Sequence, residues 1–399
     1  MPVFRKLLLR SALTIGVVVG AAAAWDIATY DRDAWLDDYA RLKRDMAKGY
    51  ANLDWMAERR GVDLVALDRR TTDALSNAHS RVRAFFALRD FVGAFGDPHL
   101  RLQPGDRSAA STPIASDTQA PADPPAGHDC ASSGYEEGDH AFRFPFASMP
   151  GWQGVADGDF PAGLVGDVGV LRIAQLGENR YLAACNAVHR AGIGQRALQL
   201  AVRAKQQQAL RAAIETLHER GAKRLMIDLT GNGGGSEWSN EVVALLTDRT
   251  FVRSEARVVD AQCDRSGVWR GETPACSVFG DASPATATLE GIGAWRGPVL
   301  VLVDGGTASA SEEVVAWLLD NHAAKVIGTR TMGAGCGYID GDKPTRLSQV
   351  PFDVHMPNCA RFLADGTNEV EGIAPDLPLP AEEAMRAAAL ARALGLRSR

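Results

Sequence analysis

The sequence lacks the short motifs by which many proteins bind cofactors. No Gly-Lys-Ser/Thr follows the Gly-rich turn at 230–235, and the glycine spacing of a dinucleotide-binding fold is absent, which argues against a phosphate-binding cradle. Neither a Cys-x-x-Cys motif nor a paired His spacing occurs, so a metal centre is not expected. We therefore expect no metal and no organic cofactor.

An excess of basic charge is also lacking, because the 399 residues carry a net charge of −6. No basic patch with interleaved aromatic residues appears, which argues against nucleic acid as the main partner. Hydrophobic residues make up 46% of the chain and charged residues 23%, the balance of an ordinary folded protein. The length allows one large domain or two smaller ones.

Residues 1–24 have the features of an export signal. Arg5, Lys6 and Arg10 accompany a short apolar stretch, 11–24, that ends in four alanines, which suits cleavage by a signal peptidase. The stretch is shorter than the roughly 20 residues that span a bilayer. We expect an exported protein, periplasmic or secreted. An uncleaved N-terminal anchor is the alternative, and membrane contact would then come through this segment alone.

The cysteine count is even, which suits an oxidising compartment and suggests disulfide bonds. Fifteen pairings of six cysteines can be written. The shortest loops favour Cys263 with Cys276 and Cys336 with Cys359, which leaves Cys130 with Cys185. Buried free thiols are the alternative.

A strand, a tight turn and a helix follow one another at 299–319. Five aliphatic residues, Val299 to Val303, suit a strand buried on both faces of a parallel sheet, and Gly305 and Gly306 open the turn. A nucleophile at such a junction gains free N–H groups and the partial positive charge of the helix N-terminus, and Ser309 is our candidate. The alternative is an ordinary capping box, because Glu312 follows Ser309 by three positions.

A second junction and one histidine strengthen the catalytic interpretation. Strand 224–229 runs into the Gly-rich turn 230–235, and the carboxyl ends of parallel strands meet at one edge of a sheet. The two turns should therefore lie side by side and offer two backbone donors. His99 follows an Asp-Pro turn, and histidine alone has an unperturbed pKa near neutrality, so His99 is the candidate base. A purely structural histidine is the alternative.

These motifs, in their order along the chain, resemble the serine peptidase family that contains the C-terminal processing proteases and the tricorn core. The matching segments are the Asp-x-His at 97–99, the turn at 230–235, the Gly-Gly-Thr-Ala-Ser-Ala-Ser-Glu at 305–312 and the closing Gly-Ile-x-Pro-Asp at 372–376. The resemblance implies an α/β protein with a crotonase-like, ClpP-like ββα core, and the helical periodicity of residues 31–95 adds an N-terminal helical cap domain. The resemblance also implies Ser309 as nucleophile, with an oxyanion hole from the N–H of Ala310 and that of Gly233 or Gly234.

One departure from the family pattern concerns the base. Processing proteases carry a lysine in the segment after the nucleophile helix, and here Ala334 stands at the matching place. The tricorn-like branch takes its base from the Asp-x-His segment, which implies His99. Candidates for a group that orients the base are Asp97, Glu312 and Glu371, with Glu369 also considered.

Composition and apolar periodicity divide the chain into segments. After residues 1–24 we expect a helical cap at 25–103, a Pro-, Ala- and Ser-rich linker or mobile loop at 104–160, a catalytic core at 161–380 and a C-terminal helix at 381–399. The region between His99 and the core is too short and irregular for the PDZ domain of many processing proteases. Within the cap, we expect two apolar helix faces: Trp35, Tyr39, Leu42, Met46 on one, and Val82, Phe85, Phe86, Phe91 on the other.

The sequence thus predicts an exported serine-type peptidase that acts on peptide or protein substrates through Ser309 and His99, with an oligomeric state that the sequence leaves open. One alternative is a peptide-binding member of the same fold that has lost catalysis, which the missing lysine favours. A second is an acyl-CoA enzyme of the crotonase type, against which the Ser309 motif and the export signal both count.

Overall fold

The computed structural model describes residues 19–105, 123–236, 238–260, 262–274, 276–278, 285–339, 341 and 343–396. These fall into two compact units. The first combines the described parts of 1–113, 257–281 and 338–359, and the second those of 114–256, 282–337 and 360–399. The expected signal segment at 1–24 lies largely outside the described residues. Among the described residues we find no helix with the length and hydropathy that a membrane span requires.

The helices, numbered along the chain, vary from one turn to seven turns in length. They are α1 Arg32–Gly49, α2 Leu53–Glu58, α3 Leu64–Ser76, α4 Arg81–Gly93, α5 Leu182–Val188, α6 Gln195–Glu219, α7 Ser239–Leu245, α8 Ala310–Asp320, α9 Ala381–Ala384 and α10 Ala387–Ala393. The C-terminal helix expected at 381–399 is thus two short helices in its described part.

The strands are short, as is usual for a mixed protein. They are β1 Arg101–Pro104, β2 Gln153–Ala156, β3 Ala162–Val165, β4 Val168–Arg172, β5 Arg224–Asp228, β6 Phe251–Ser254, β7 Arg257–Val258, β8 Thr286–Leu289, β9 Val299–Val303, β10 Ala324–Gly328, β11 Thr345–Arg346, β12 Phe352–His355, β13 Cys359–Ala360 and β14 Leu377–Pro378.

The first unit combines helices α1 to α4 with a three-stranded antiparallel sheet in the order β1-β12-β11. The expected apolar face of α1 is confirmed, because its four residues are all buried: Trp35, Tyr39, Leu42 and Met46. The face expected for α4 is right at Phe91 and wrong at Val82 and Phe86, which are exposed. Its buried residues are Ala84, Leu88, Phe91 and Val92, and Phe86 is 41% exposed, with the Arg89 guanidinium over its ring.

Segment 257–281 belongs to the first unit although the sequence placed it in the catalytic core. The physical reason is Arg265, whose side chain is fully buried. Its guanidinium donates to the carbonyls of Ala47 and Tyr50 and pairs with the Asp54 carboxylate. Segment 338–359 joins the same unit through β12, which pairs with β1, and through a hydrogen bond from Thr345 to Asp45.

The second unit is built on a seven-stranded sheet in the order β14-β10-β9-β5-β4-β3-β2. Strands β4, β5, β9, β10 and β14 run parallel, while β2 and β3 are antiparallel. This confirms the expectation of an α/β protein with repeated βα units. Because β5 and β9 are direct neighbours, the turns that follow them leave the same edge of the sheet.

Alternate residues of the central strands enter two apolar cores, one on each face. Leu225 and Ile227 of β5 pack into a core with residues of α6 and α8, while Met226 packs into a second core with Leu390 of α10. The continuous aliphatic run of β9 is therefore explained, since both of its faces are covered.

The expected linker at 104–160 needs correction over its described part, 123–160. Phe146 is fully buried, Cys130 bonds to Cys185 of α5, and β2 extends the main sheet by pairing with β3. A disulfide and buried aromatic rings hold this segment in place despite its irregular composition. Residues 106–122, which carry much of the Pro- and Ala-rich sequence, lie outside the described residues.

The described cysteines are all oxidised. Besides the bond from Cys130 to Cys185, Cys263 bonds to Cys276 within the first unit. Loop length favoured the second of these pairs, and the first is the pair that it left over. Cys336 and Cys359 are also disulfide-bonded.

Candidate active site at the start of helix α8

Ser309 lies between the turn that follows β9 and the first residue of α8, in a backbone conformation that is rare for a serine. Its φ is 54° and its ψ is −117°, a region that L-residues other than glycine seldom occupy and that costs on the order of 1–3 kcal/mol. Such conformations persist only where the surroundings impose them. The contacts around Ser309 identify what imposes this one.

The first constraint is the Gly-rich turn after β5, which lies against the Ser309 turn as expected. Thr307 Oγ1 donates to the Leu229 carbonyl at 2.9 Å, and the Ala308 N–H donates to the Asn232 carbonyl at 2.9 Å. A Cβ at Gly234 would meet the Cβ of Ser309 at 2.8 Å. Only a glycine allows the two turns to approach this closely.

The two glycines proposed for the oxyanion hole differ in what their N–H groups do. The N–H of Gly234 donates to Asn232 Oδ1 at 3.0 Å, so it is already committed within the turn. Across the described part of the chain, the N–H groups of Gly233 and Ala310 have no acceptor. Gly233 is also exposed. The arrangement therefore favours Gly233 over Gly234 as the donor that would accompany Ala310.

The second constraint is the Glu312 carboxylate, which is completely buried. One oxygen accepts from the N–H of Ser309 at 2.8 Å, and the capping box expected at this helix start is present. The same carboxylate also accepts from the Thr331 hydroxyl at 2.5 Å and from the N–H groups of residues 333, 334 and 335 at 2.8–3.1 Å. Burial raises the pKa of Glu312, and these donors oppose the rise.

Glu312 therefore holds two backbone segments together, the start of α8 and residues 331–335. With five donors already placed on it, this carboxylate has little capacity left to orient a base as the sequence allowed. Ala334 belongs to the segment it holds. Ala334 is buried and its N–H donates to Glu312, and its methyl side chain cannot take a proton.

The third constraint was missed by sequence reasoning. Arg361 donates from one nitrogen to the carbonyls of Ser309 and Gly335, at 3.2 and 3.0 Å. Its other nitrogens bond Glu313 and Glu369, each at 2.8 Å. Burial lowers the pKa of Arg361, but the surrounding carboxylates outweigh it and the net pKa is raised. A permanently charged guanidinium thus fixes the Ser309 carbonyl.

Glu369 completes this ion-pair group. It is fully buried and pairs with both Arg361 and Arg253. Burial raises its pKa, and the two guanidinium groups reverse the effect and lower it overall. Glu371 follows in a short turn in which its N–H donates to the Asn368 carbonyl. Glu369 thus acts on the Ser309 backbone indirectly, because it pairs with Arg361, which donates to the Ser309 carbonyl.

His99 belongs to the first unit, where a buried carboxylate likewise holds its backbone. Asp97 Oδ1 accepts from the N–H of His99 at 3.0 Å, while Oδ2 accepts from Tyr50 at 3.0 Å and Asn52 at 2.9 Å. Burial raises the pKa of Asp97, and these bonds oppose the rise. The Tyr338 hydroxyl donates to the His99 carbonyl at 3.1 Å, and the two rings lie 5.8 Å apart.

Arg143 is a further charged group that sequence reasoning did not single out. Its guanidinium lies 3.4 Å from Asp304 Oδ2, and a Cβ at Gly231 would overlap it. Asp304 Oδ1 in turn accepts from the N–H of Gly231 at 2.7 Å. Arg143 is half exposed, so it places an accessible positive charge over the Gly-rich turn.

Two curated relatives are similar to part of this chain. The carboxyl-terminal-processing peptidase 2 of Arabidopsis thaliana, a chloroplastic protein, is 36% identical over 177 residues, which cover 43% of this chain and 29% of the relative. The carboxyl-terminal-processing protease of Synechocystis is 27% identical over 169 residues, 42% of this chain and 28% of the relative. The chain thus matches under a third of the length of these relatives.

Two solved structures share the fold over most of the chain. A candidate peptidase from Parabacteroides merdae superposes with a TM-score of 0.57 at 15% identity, covering 90% of this chain and 96% of that one. Mature CPAF gives a TM-score of 0.56 at 15% identity, covering 90% and 95%. Residues 167–378, more than half of the chain, match the family model for peptidase family S41. The chain belongs to peptidase family S41.

Proposed function

We propose that this chain is a serine-type peptidase, with Ser309 as nucleophile, His99 as general base and no metal in the reaction. The observation that carries the proposal is the backbone of Ser309, held at a φ of 54° at the start of α8. Strain of this kind concentrates at functional sites, and a plain capping serine needs none. Membership of peptidase family S41 supports the same reading.

The chemistry requires one proton to move twice. His99 takes the proton of the Ser309 hydroxyl as the oxygen attacks the carbonyl carbon of the peptide bond. The resulting oxyanion accepts hydrogen bonds from the N–H groups of Ala310 and Gly233. The C–N bond then breaks, and His99 returns the proton to the leaving amine. Water then attacks the acyl carbon while His99 takes one of its protons, and His99 returns that proton to the Ser309 oxygen as the ester bond breaks.

We further propose a crotonase-like core for the second unit and a cap role for the helices of the first. Export is part of the same proposal, supported by the basic and apolar composition of residues 1–24 and by the oxidised cysteines. The mass of the protein recovered from an exporting cell tests it, since retention of residues 1–24 without membrane attachment would contradict export by this segment.

The deciding experiment is reaction with a fluorophosphonate, which modifies activated serines, followed by peptide mapping. We expect one adduct, on Ser309, that disappears in Ser309→Ala and falls at least tenfold in His99→Ala. Ser311→Ala is the matched control, since Ser311 lies in the same motif with a fully buried side chain, and it should keep the label. His128→Ala, which changes an exposed histidine, should also keep it. An unlabelled but folded wild-type protein would contradict the proposal.

The second candidate is a peptide-binding member of the family without turnover, and Ala334 is the observation that favours it. Ala334 matches the position of the lysine in the family pattern, and its methyl side chain cannot act as a base. This candidate predicts that peptides bind equally well to the wild type and to Ser309→Ala and that no product forms. Product release by the wild type, absent in Ser309→Ala, would exclude it.

A further inference from the structure

Three side chains with metal-binding atoms converge in the second unit. Glu137, His140 and Asp159 each offer one such atom, and these atoms all lie within 4.8 Å of one another. Glu137 is exposed, Asp159 is partly buried and His140 is buried. Two ligand atoms of the same ion lie about 3–4 Å apart at usual metal–ligand distances. The three side chains would therefore need to move only slightly closer together to bind one ion between them.

The imidazole of His140 has an unused nitrogen. His140 is only 7% exposed, and its Nε2 lies 3.2 Å from the Arg180 carbonyl. A carbonyl can only accept, so this hydrogen bond requires a proton on Nε2, and the neutral tautomer that makes it leaves Nδ1 able to bind a metal ion. Among the described residues Nδ1 is buried and has no hydrogen-bond partner. Buried polar atoms in this condition are uncommon and call for an explanation.

The carbonyl beside Nε2 is a partner that metal-binding histidines commonly have at their second nitrogen. A ligating histidine usually donates its other N–H to a carbonyl or carboxylate, which fixes the tautomer and the ring orientation. The Arg180 carbonyl fills that role, and it also accepts from the N–H of Gly138 at 2.9 Å. A Cβ at Gly138 would come within 2.8 Å of that carbonyl oxygen and 3.0 Å of the His140 ring, so glycine lets the segment close around the imidazole.

The neighbouring tyrosine packs against the site without joining it. The rings of His140 and Tyr181 lie 4.7 Å apart. Burial raises the pKa of Tyr181, the Asp159 carboxylate adds to the rise, and its hydroxyl donates to the Gln175 carbonyl at 2.7 Å. Tyr181 thus stays protonated, and its hydroxyl is already bonded to the Gln175 carbonyl. The candidate ligand set is one imidazole nitrogen and two carboxylates.

We propose that Glu137, His140 and Asp159 bind a divalent transition-metal ion of the Zn²⁺ type. An imidazole with carboxylates suits Zn²⁺ or Mn²⁺, whereas Ca²⁺ and Mg²⁺ prefer sites made of oxygen alone. The ion would tie residues 137–140 to Asp159, just before β3. It would thereby fasten the irregular segment that the bond from Cys130 to Cys185 holds at its other end. The role is structural and independent of the proposed peptidase reaction.

Calorimetric titration of the chelator-treated full chain with Zn²⁺ tests the proposal. We expect one Zn²⁺ per chain, and an affinity at least tenfold lower in His140→Ala and in Glu137→Gln. Glu137 is exposed, so Glu137→Gln should keep the fold. It therefore tests the proposal even if His140→Ala fails to fold. Zn²⁺ should also raise the Tm of the wild type and leave that of Glu137→Gln unchanged, because an ion that binds the folded state alone stabilises it.

His128→Ala is the matched control. His128 lies in the same irregular segment, and its side chain is 85% exposed, so this variant should bind Zn²⁺ as tightly as the wild type. Equal affinities of the wild type and Glu137→Gln would overturn the proposal. So would an equal loss in His128→Ala, since binding would then rest on exposed histidines. Tighter binding of Ca²⁺ than of Zn²⁺ would overturn the assignment of the ion.

Discussion

The Ser309 turn and the His99 segment are each held by a buried carboxylate, but the two carboxylates accept different numbers of hydrogen bonds. In each, a buried carboxylate accepts the backbone N–H of the candidate catalytic residue: Glu312 for Ser309 and Asp97 for His99. Glu312 accepts five hydrogen bonds from two segments, whereas Asp97 accepts three. Arg361 fixes the Ser309 carbonyl as well. The residue with the strained backbone, Ser309, is thus held by more hydrogen bonds than His99.

Glu312→Gln should break the larger of the two supports. An amide nitrogen cannot accept the N–H groups that one carboxylate oxygen now receives, so two or more buried donors lose their partner. We expect a loss of about 3 kcal/mol in the free energy of unfolding, because bonds to a charged acceptor are worth about 1.5–3 kcal/mol each and not all are lost. Chemical denaturation of the purified variant measures this loss.

Fluorophosphonate labelling of Glu312→Gln adds a readout beyond stability. If the carboxylate holds Ser309 in its conformation, labelling should fall at least tenfold under conditions in which the variant is fully folded. Glu383→Gln, at an exposed glutamate, is the control and should change neither quantity. Full labelling in a destabilised Glu312→Gln would mean that the carboxylate supports the fold without positioning the serine.

Asp97→Asn tests the smaller support. The amide keeps one acceptor oxygen and loses one, so the bond to the N–H of His99 or the pair from Tyr50 and Asn52 is lost. We expect about 1–2 kcal/mol of destabilisation, less than for Glu312→Gln. Urea unfolding of both variants side by side checks the order. Asp90→Asn, at an exposed aspartate, is the control, and a reversed order would contradict the comparison.

The site could be predicted where it depends on local sequence and sheet topology. Ser309 and the Gly-rich turn follow neighbouring parallel strands, so their adjacency follows from the strand pattern alone. Arg361 could not be found this way, because it is 52 residues from Ser309 and a lone arginine is usually solvated. The sequence shows only an arginine and a glutamate ahead of the closing motif, Arg361 and Glu369. Such a pair is too common to identify Arg361 as part of the site.

The organisation of the chain into units was harder to predict than the site. Segment 257–281 has no local feature that separates it from the core around it in sequence. Arg265 decides its place through the carbonyls of Ala47 and Tyr50, more than 200 residues away. Composition also misled at 123–160, where the disulfide of Cys130 outweighs the scarcity of large apolar residues. Both errors come from long-range contacts that periodicity does not encode.

Ser309→Gly separates strain from chemistry and should give the smallest effect. Glycine adopts a positive φ readily, so this variant releases the strain that Ser309→Ala retains. Both variants lack the hydroxyl and should be unlabelled, yet Ser309→Gly should be more stable than Ser309→Ala by about 1 kcal/mol, once the cost of glycine in the unfolded chain is included. Thermal unfolding of the pair measures the difference.

The matched pair is Ser311→Gly and Ser311→Ala, two positions further along in helix α8. There the order of stability should reverse, because glycine inside a helix costs about 1 kcal/mol relative to alanine. A glycine that stabilises at 309 and destabilises at 311 would locate the strain at Ser309 itself. Equal behaviour at the two positions would mean that the φ of 54° stores no energy, and the asymmetry between the Ser309 turn and the His99 segment would then lie in hydrogen bonding alone.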